Sequence, residues 1–226
     1  MGKSTKSPFK IIVLLTLVTF SLIVAFVVFN QKDKEPSVTT FQKQPDITGQ
    51  PTIGNSDAPI SIVEFGDFKC PSCKAWGETI FPQLAKDYVT TGQAKITYIN
   101  VLFHGEESKL GSLAAESVFK NSPDSYWEFH IGLFNEQPTE NHDGLWITKE
   151  KILEVAKQVK GIDIEKLSTD IDAQSGLEEL NKDTNLVKEY KVEMTPSIMV
   201  NGTMLEDPFD YEKIKSLIKK ELEENK

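Results

Sequence analysis

Cys70 and Cys73 are the only two cysteines in the 226-residue chain, and they stand three apart in Cys70-Pro71-Ser72-Cys73. Thiols at that spacing can close a disulfide and reopen it, which moves two electrons. As a structural staple the bridge would achieve little, because so short a loop removes little denatured-state entropy. A zinc site needs more ligands, and His104, His130 and His142 have spacings that match no common finger. The redox reading has a mechanism. The pair follows a strand-like stretch and opens a helix-like one, which places Cys70 at a helix N-terminus. Unpaired backbone N–H groups and the positive end of the macrodipole favour a thiolate there. Pro71 suits the first turn because it has no N–H to leave orphaned. Cys73 falls one turn on, tucked against the helix. The expected roles are Cys70 as the exposed nucleophile and leaving group, and Cys73 as the resolving thiol. A stabilised Cys70 thiolate stabilises the reduced form, so the disulfide becomes a stronger oxidant.

Glu64 lies six residues before Cys70, between Val63 and Phe65. A carboxyl inside an apolar strand has a raised pKa, since desolvation penalises its charged form. It could then shuttle a proton to or from the Cys73 sulfur; the alternative is a salt bridge to Lys69 or Lys74, or an exposed edge position. Asp67 reads as an ordinary loop or capping acid. Thr195-Pro196 precedes the strand-like Ser197-Ile198-Met199-Val200. A proline there cannot donate to a sheet ladder. A cis bond would free the neighbouring backbone to pair with an extended substrate segment; a trans turn proline is equally compatible with the residues.

Residues 60–65 (ISIVEF) read as a buried strand and residues 94–101 as a second. Between them a helix runs from the cysteines to about Val89, with Pro82 kinking or restarting it. From about 106 to 190 apolar residues recur at helical spacing, with caps at Asp124 or Ser125, at Thr148 and at Asp163. His104 reads as a capping or core-edge histidine and His130 as packing. Trp76 either shields the disulfide or fills the core. Strand character returns at Ser197, Asn201-Gly202 signals a hairpin, and Asp207-Pro208 opens a terminal helix.

Lys3, Lys6 and Lys10 precede an uncharged apolar stretch over residues 11–29. As a helix it would rise about 28 Å, close to a bilayer's hydrocarbon thickness. An uncleaved anchor is expected rather than a removed signal peptide, because the run exceeds the usual signal core and no clear small-residue cleavage site follows. The lysines keep the N-terminus cytoplasmic, so the chain beyond is expected outside, at the cell membrane in a single pass. Residues 30–50 read as a polar linker. Formal charge is −9; removing the +3 of those lysines leaves −12 for the remainder. So acidic a domain is no general phosphate-backbone binder, and nucleic acid is excluded as an expected partner.

These residues together resemble the thioredoxin superfamily, and within it the DsbA-like branch. The carriers are VEFGDFKCPSCKAW, MTPSIMVNG and the 123 residues from Cys73 to Pro196. The resemblance implies an α/β thioredoxin fold over 51–105 and 191–226, with a helical insertion over 106–190, preceded by a basic N-terminus (1–10) and a transmembrane signal-anchor (11–29). It implies Cys70 as nucleophile, Cys73 as resolving cysteine, Glu64 as buried acid and Pro196 as cis-proline. The anchor and the CPSC sequence look like the D-type disulfide-bond formation proteins of Gram-positive bacteria. That type implies a structural calcium, and matching contexts suggest Gln50, Glu116 and Asp183 as its oxygen donors. It also implies reoxidation by a quinone-linked membrane partner of the DsbB kind. One departure stands out: Pro71-Ser72 lacks the histidine that strongly oxidising relatives carry between their cysteines.

The expected function is a thiol oxidase that introduces disulfides into exported, unfolded polypeptides with free thiols, acting as a monomer and needing no cofactor for exchange. A groove around Thr195 and Pro196, beside Pro71 and Ser72, would hold the client. An anchored reductase for a dedicated client, as in cytochrome maturation, uses the same residues in the opposite direction. A redox-sensing or adhesion module whose cysteines only switch a binding surface is the reading from another class.

Overall fold

A computed structural model describes residues 8–30 and 38–224. The basic residues 1–7 and part of the expected linker, 31–37, lie outside the described residues. The chain forms two units, divided at Ser37 and Val38. The first holds helix α1 (Pro8–Asn30). Apolar side chains such as Leu17, Phe20 and Phe26 on it are 61–68% exposed. Side chains at positions 8–11, 14 and 27–30 are outside the description, and among the described residues no helix is long and apolar enough to cross a membrane.

The second unit is built on a six-stranded sheet in the order β1-β6-β5-β3-β4-β2. Its strands are β1 (Val38–Thr40), β2 (Thr52–Gly54), β3 (Ile60–Gly66), β4 (Ala94–Asn100), β5 (Ser197–Val200) and β6 (Thr203–Leu205). β3 and β4 are parallel and the other pairs antiparallel. Helices α2 (Pro71–Thr79) and α3 (Phe81–Leu84), then a π-helical turn (Ala85–Val89), connect β3 to β4. The break at Ile80 falls just before Pro82, as the sequence predicts. Five helices stand between β4 and β5: α4 (Glu106–Asn121), α5 (Tyr126–Asn135), α6 (Lys149–Gln158), α7 (Ile164–Ala173) and α8 (Leu177–Glu189). Thr148 and Asp163 cap α6 and α7 by accepting from the Lys151 and Lys166 N–H groups. The hairpin turn is Asn201-Gly202, both at positive φ, as a two-residue turn between right-twisted strands requires. The last helix, α9 (Tyr211–Glu224), starts later than expected: Asp210 accepts from Lys213 N, so the cap is Asp210 and not Asp207.

Alternation along β3 sorts the core. Ile60 and Ile62 face one side with Trp76, Leu84, Ile198, Ile214 and Ile218. Val63 and Phe65 face the other with Ile99, Tyr190 and Met199. The same alternation puts Glu64 on the Ile60–Ile62 side, the side that α2 covers. A third cluster fills the helical region and reaches Phe68, Cys70 and Cys73. Trp76 belongs to the sheet core, fully buried, with its indole N–H on Pro208 O at 2.9 Å; it does not pack in the cluster that holds the cysteines.

The linker expectation over 30–50 needs correction. Val38-Thr39-Thr40 is a short β-branched run, and it pairs with β6 as an edge strand. Phe41 packs on Tyr190 with ring centroids 5.1 Å apart, and Ile47 packs against the same cluster. Three residues are too few to give a periodic signal, which is why both β1 and β2 escape a sequence reading.

Candidate active site

Helix α2 begins one residue after Cys70. Cys70 itself is the cap, with extended backbone (φ −78°, ψ 121°), and Pro71 occupies the first turn. The Cys70 Sγ lies 3.3 Å from the carbonyl oxygen of Thr195, and the Thr195–Pro196 peptide is cis. The cysteines, the cis-proline loop and α2 thus meet at one place, although 125 residues separate Cys70 from Thr195. Both cysteines are free thiols.

Their environments push them apart. The Cys70 pKa falls from 9.0 to about 5. The largest cause is a hydrogen bond from the Cys73 thiol; the Thr195 side chain and the Cys73 and Ser72 N–H groups add to it, against burial. Cys73 is pushed well above the ordinary thiol range, by burial first and then by its bond to Cys70 and the charges of Glu64 and Cys70. One sulfur is a thiolate at neutral pH and the other a thiol that donates to it. Accessibility corrects one expectation: Cys70 is only 6% exposed, against 1% for Cys73. The Thr195 loop meets the helix start, its carbonyl oxygen against the Cys70 sulfur.

Glu64 lies across from Tyr98 on β4 and Ile198 on β5, and is 4% exposed. Burial raises its pKa well above the carboxyl range, and the Cys70 charge adds to this. The salt-bridge alternative fails: Lys69 pairs with Glu107 at 2.6 Å, and Lys74 reaches Glu78 and the Gln137 carbonyl. A cavity of about 50 Å³ between α2 and α5 is lined by Glu64, Cys73 and His130, with Lys74, Glu78 and Asn135 among its other residues. That is room for a few waters. His130 is buried among Phe68, Tyr98, Tyr126 and Trp127. Burial lowers its pKa to about 3, so the imidazole is neutral, and its Nδ1 has no protein partner. Packing was the sequence reading of His130; the cavity gives it a polar neighbourhood as well.

Four polar side chains near the cysteines carried no sequence signal: Asp67, Lys69, Glu107 and Gln137. Lys69 is 5% exposed. Its Nζ also donates to Gly144 O at 2.5 Å, while Gln137 Nε2 donates to the Lys69 carbonyl at 2.9 Å. Glu107 Oε2 accepts from the Trp146 and Ile147 N–H groups at 2.8 Å. The residue before the nucleophile therefore ties the redox loop to the helical region. Their spacing in sequence gave no clue, because the partners come from separate parts of the chain: the loop before α2, the first turn of α4 and the segment after α5.

Gln50, Glu116 and Asp183 come together away from the cysteines. Gln50 Nε2 meets Asp183 Oδ1 at 2.5 Å. Asn100 joins them, donating to Glu116 Oε1 at 2.7 Å and to Asp183 Oδ2 at 2.9 Å through its amide and 3.0 Å through its backbone. Burial, then the charges of Asp183 and Glu179, push the Glu116 pKa up to about 8, and burial raises Asp183. Asn100 Oδ1 and Glu179 Oε2 are buried without a partner. Among the described residues no cluster of three or more His, Cys, Asp or Glu side chains is placed to hold a metal; here one of the three candidate donors is an amide.

Residues 46–220 match a family model described as thioredoxin. The disulfide bond formation protein D of Bacillus subtilis (strain 168) is 41% identical over 179 residues, 79% of this chain and 80% of its own length. A probable disulfide bond formation protein D of Bacillus anthracis is 34% identical over 207 residues, 91% of each chain. The crystal structure of oxidised BdbD from B. subtilis superposes with a TM-score of 0.78 at 40% identity, covering 81% of this chain and 98% of that one. Chlamydia trachomatis DsbA shares the fold, with a TM-score of 0.69 at 24% identity over 82% of this chain and 96% of its own. With a split-pKa dithiol at the start of a helix, beside a cis-proline on this scaffold, the chain belongs to the DsbA-like thiol:disulfide oxidoreductases of the thioredoxin superfamily.

Proposed function

We propose that the protein is an extracytoplasmic oxidase that passes the Cys70–Cys73 disulfide to exported polypeptides. The observation that carries this reading is the Cys70 thiolate, whose pKa is about 5. A client thiolate attacks Cys70 Sγ; the S–S bond breaks and its electron pair leaves on Cys73. Glu64, whose burial favours its protonated form, gives its proton to that sulfur. A second client thiolate attacks the client sulfur of the mixed disulfide and expels Cys70, which departs readily because its thiolate is stable. The client gains a disulfide and the protein is left as a dithiol holding two electrons. A quinone-linked membrane oxidoreductase of the DsbB kind is the proposed acceptor. Thr195 and Pro196, with Pro71 and Ser72, line the place where the client enters.

The test is equilibration of the full chain with a glutathione buffer, alongside the thiolate absorbance. At pH 7 a shift from 9.0 to about 5 favours the reduced form about a hundredfold over an unshifted thiol, which is about 60 mV. The sign follows from a depressed pKa. The gain is present above the ordinary thiol pKa and is lost as pH falls through about 5. A potential on the oxidising side of about −200 mV supports the oxidase; one near the −270 mV or so of thioredoxins selects the anchored reductase.

The anchor reading rests on the uncharged residues 11–29 after three lysines, and on a helix of 23 residues there. As a helix, residues 11–29 rise about 28 Å, close to a bilayer's hydrocarbon thickness. Such an anchor would hold the catalytic unit at the outer face of the cell membrane. The full chain should sediment with membranes, and a form starting at Val38 should not; a soluble full chain would exclude the anchor.

The oxygen-rich cluster suits calcium. Gln50, Glu116 and Asp183 would supply hard oxygen donors. A cation would offset the burial of Glu116 beside Asp183 and Glu179, and would give buried Asn100 Oδ1 a partner. Its role would be structural, tying β4 to α4 and α8. A chelator should lower the melting temperature and added calcium restore it; an unchanged melt would remove the metal from the account.

A further inference from the structure

Asp67 reads from sequence as an ordinary loop or capping acid; it is fully buried, 0% exposed, and its carboxylate collects several hydrogen bonds. Its Oδ1 accepts from Lys69 N at 2.9 Å. Its Oδ2 accepts from Phe103 N at 3.0 Å, His104 N at 3.3 Å and Ser108 Oγ at 2.9 Å, and lies 2.8 Å from His104 Nδ1. One carboxylate thus joins the loop before α2, the loop after β4 and the first turn of α4. The same residue touches the redox pair through its backbone. Its N–H donates to Cys73 Sγ at 3.4 Å, and its carbonyl accepts from Cys70 N at 2.9 Å.

We propose that Asp67 is a positioning residue for the exchange reaction: its carboxylate pins the peptide whose N–H receives the Cys73 sulfur as that sulfur leaves. This rests on the oxidase reading. In the first step the client–Cys70 bond forms, the Cys70–Cys73 bond breaks, and the electron pair resides on a sulfur that is 1% exposed. Bulk water does not reach that charge, so it gains from a donor already aimed at it. Asp67 N–H is that donor, with the Glu64 proton arriving to neutralise the sulfur. A backbone donor keeps its aim only if the loop cannot shift, and the carboxylate contacts fix the loop.

The test uses the oxidised full chain, reduced by excess glutathione and followed by stopped-flow tryptophan fluorescence. A hydrogen bond to a charged atom supports about a tenfold effect. Asp67→Ala should slow the first step about tenfold, with Cys70 thiolate absorbance unchanged. Asp67→Asn keeps the volume and one acceptor and should recover part of the rate. His104→Ala removes one contact from a half-exposed side chain, leaves the buried carboxylate in place, and should slow the step by about threefold. A purely structural Asp67 would lower the melting temperature and leave the rate of the folded variant untouched; that result overturns the proposal. If Asp67→Ala does not fold, His104→Ala decides, and a wild-type rate there overturns it equally. Failure of the oxidase reading looks different, since the wild-type disulfide would then sit at a thioredoxin-like equilibrium with glutathione.

Discussion

Replacing Cys70 by alanine is expected to abolish thiol–disulfide exchange, and replacing Cys73 by alanine to leave a chain that accumulates mixed disulfides. The two outcomes differ because the sulfurs differ. Without Cys70 the remaining thiol still lies where it is 1% exposed in the intact site, and burial, the largest cause of its raised pKa, remains. Almost none of it is thiolate at pH 7, and thiolate is the reacting species. Without Cys73 the nucleophile stays in place at the helix start. It still attacks a client disulfide, but no neighbouring thiol stands ready to reopen the mixed bond at high effective concentration. The second variant carries a further expectation. The Cys73 thiol is the largest cause of the Cys70 shift, so Cys73→Ala should raise the Cys70 pKa above about 5. It should stay below an ordinary thiol, because the Ser72 and residue-73 N–H groups still face the sulfur. Thiolate absorbance against pH reads this, and non-reducing gels read the trapped adducts. Trapping at Cys70→Ala, or none at Cys73→Ala, would reverse or remove the assigned roles.

Much of this centre is legible in the sequence because its chemistry is local. Cys70, Pro71 and Cys73 lie in one turn of one helix, and the strand before them is short and apolar. Glu64 is legible for the same reason: a lone carboxyl in ISIVEF must be buried by the alternation that buries Ile60 and Ile62. What is not legible is what loops do to one another. Lys69 and Glu107 are 38 residues apart, and Asp67 and His104 are 37 apart. Neither separation corresponds to a helical or strand period, so nothing marks these charged residues as buried. Exposed charge is the ordinary expectation for Lys and Asp, and a buried one is recognised only once its partners are seen. The same limit explains Cys70. Its thiolate character follows mainly from the Cys73 thiol one turn on, with the N–H groups of the helix start, but its low accessibility follows from a loop more than a hundred residues away. The edge strand β1 shows a third case: Val38 to Thr40 gains strand structure only from β6.

Glu64→Gln is expected to slow exchange at neutral pH by on the order of a hundredfold while making the fold more stable. The rate argument starts from where the Cys73 charge appears. Glu64 shares a cavity with Cys73 and is protonated well above the ordinary carboxyl range. It can neutralise the leaving sulfur and later regain a proton through waters in that cavity. Glutamine keeps the shape and cannot transfer a proton, and a positioned acid typically contributes 10²–10⁴ or so. The stability argument runs the other way. A carboxyl whose folded pKa exceeds its unfolded value contributes fully only below the unfolded pKa of about 4.5, and that contribution drains as pH rises toward the folded value. Glutamine has no such loss. The melting temperatures of variant and wild type should therefore agree most closely near pH 4 and separate above it, with the variant higher. A rate loss with a gain in stability identifies a group kept for proton transfer against the preference of the fold. If the variant is both slower and less stable at pH 8, Glu64 is a packing residue, and the proton for Cys73 comes from elsewhere along the cavity.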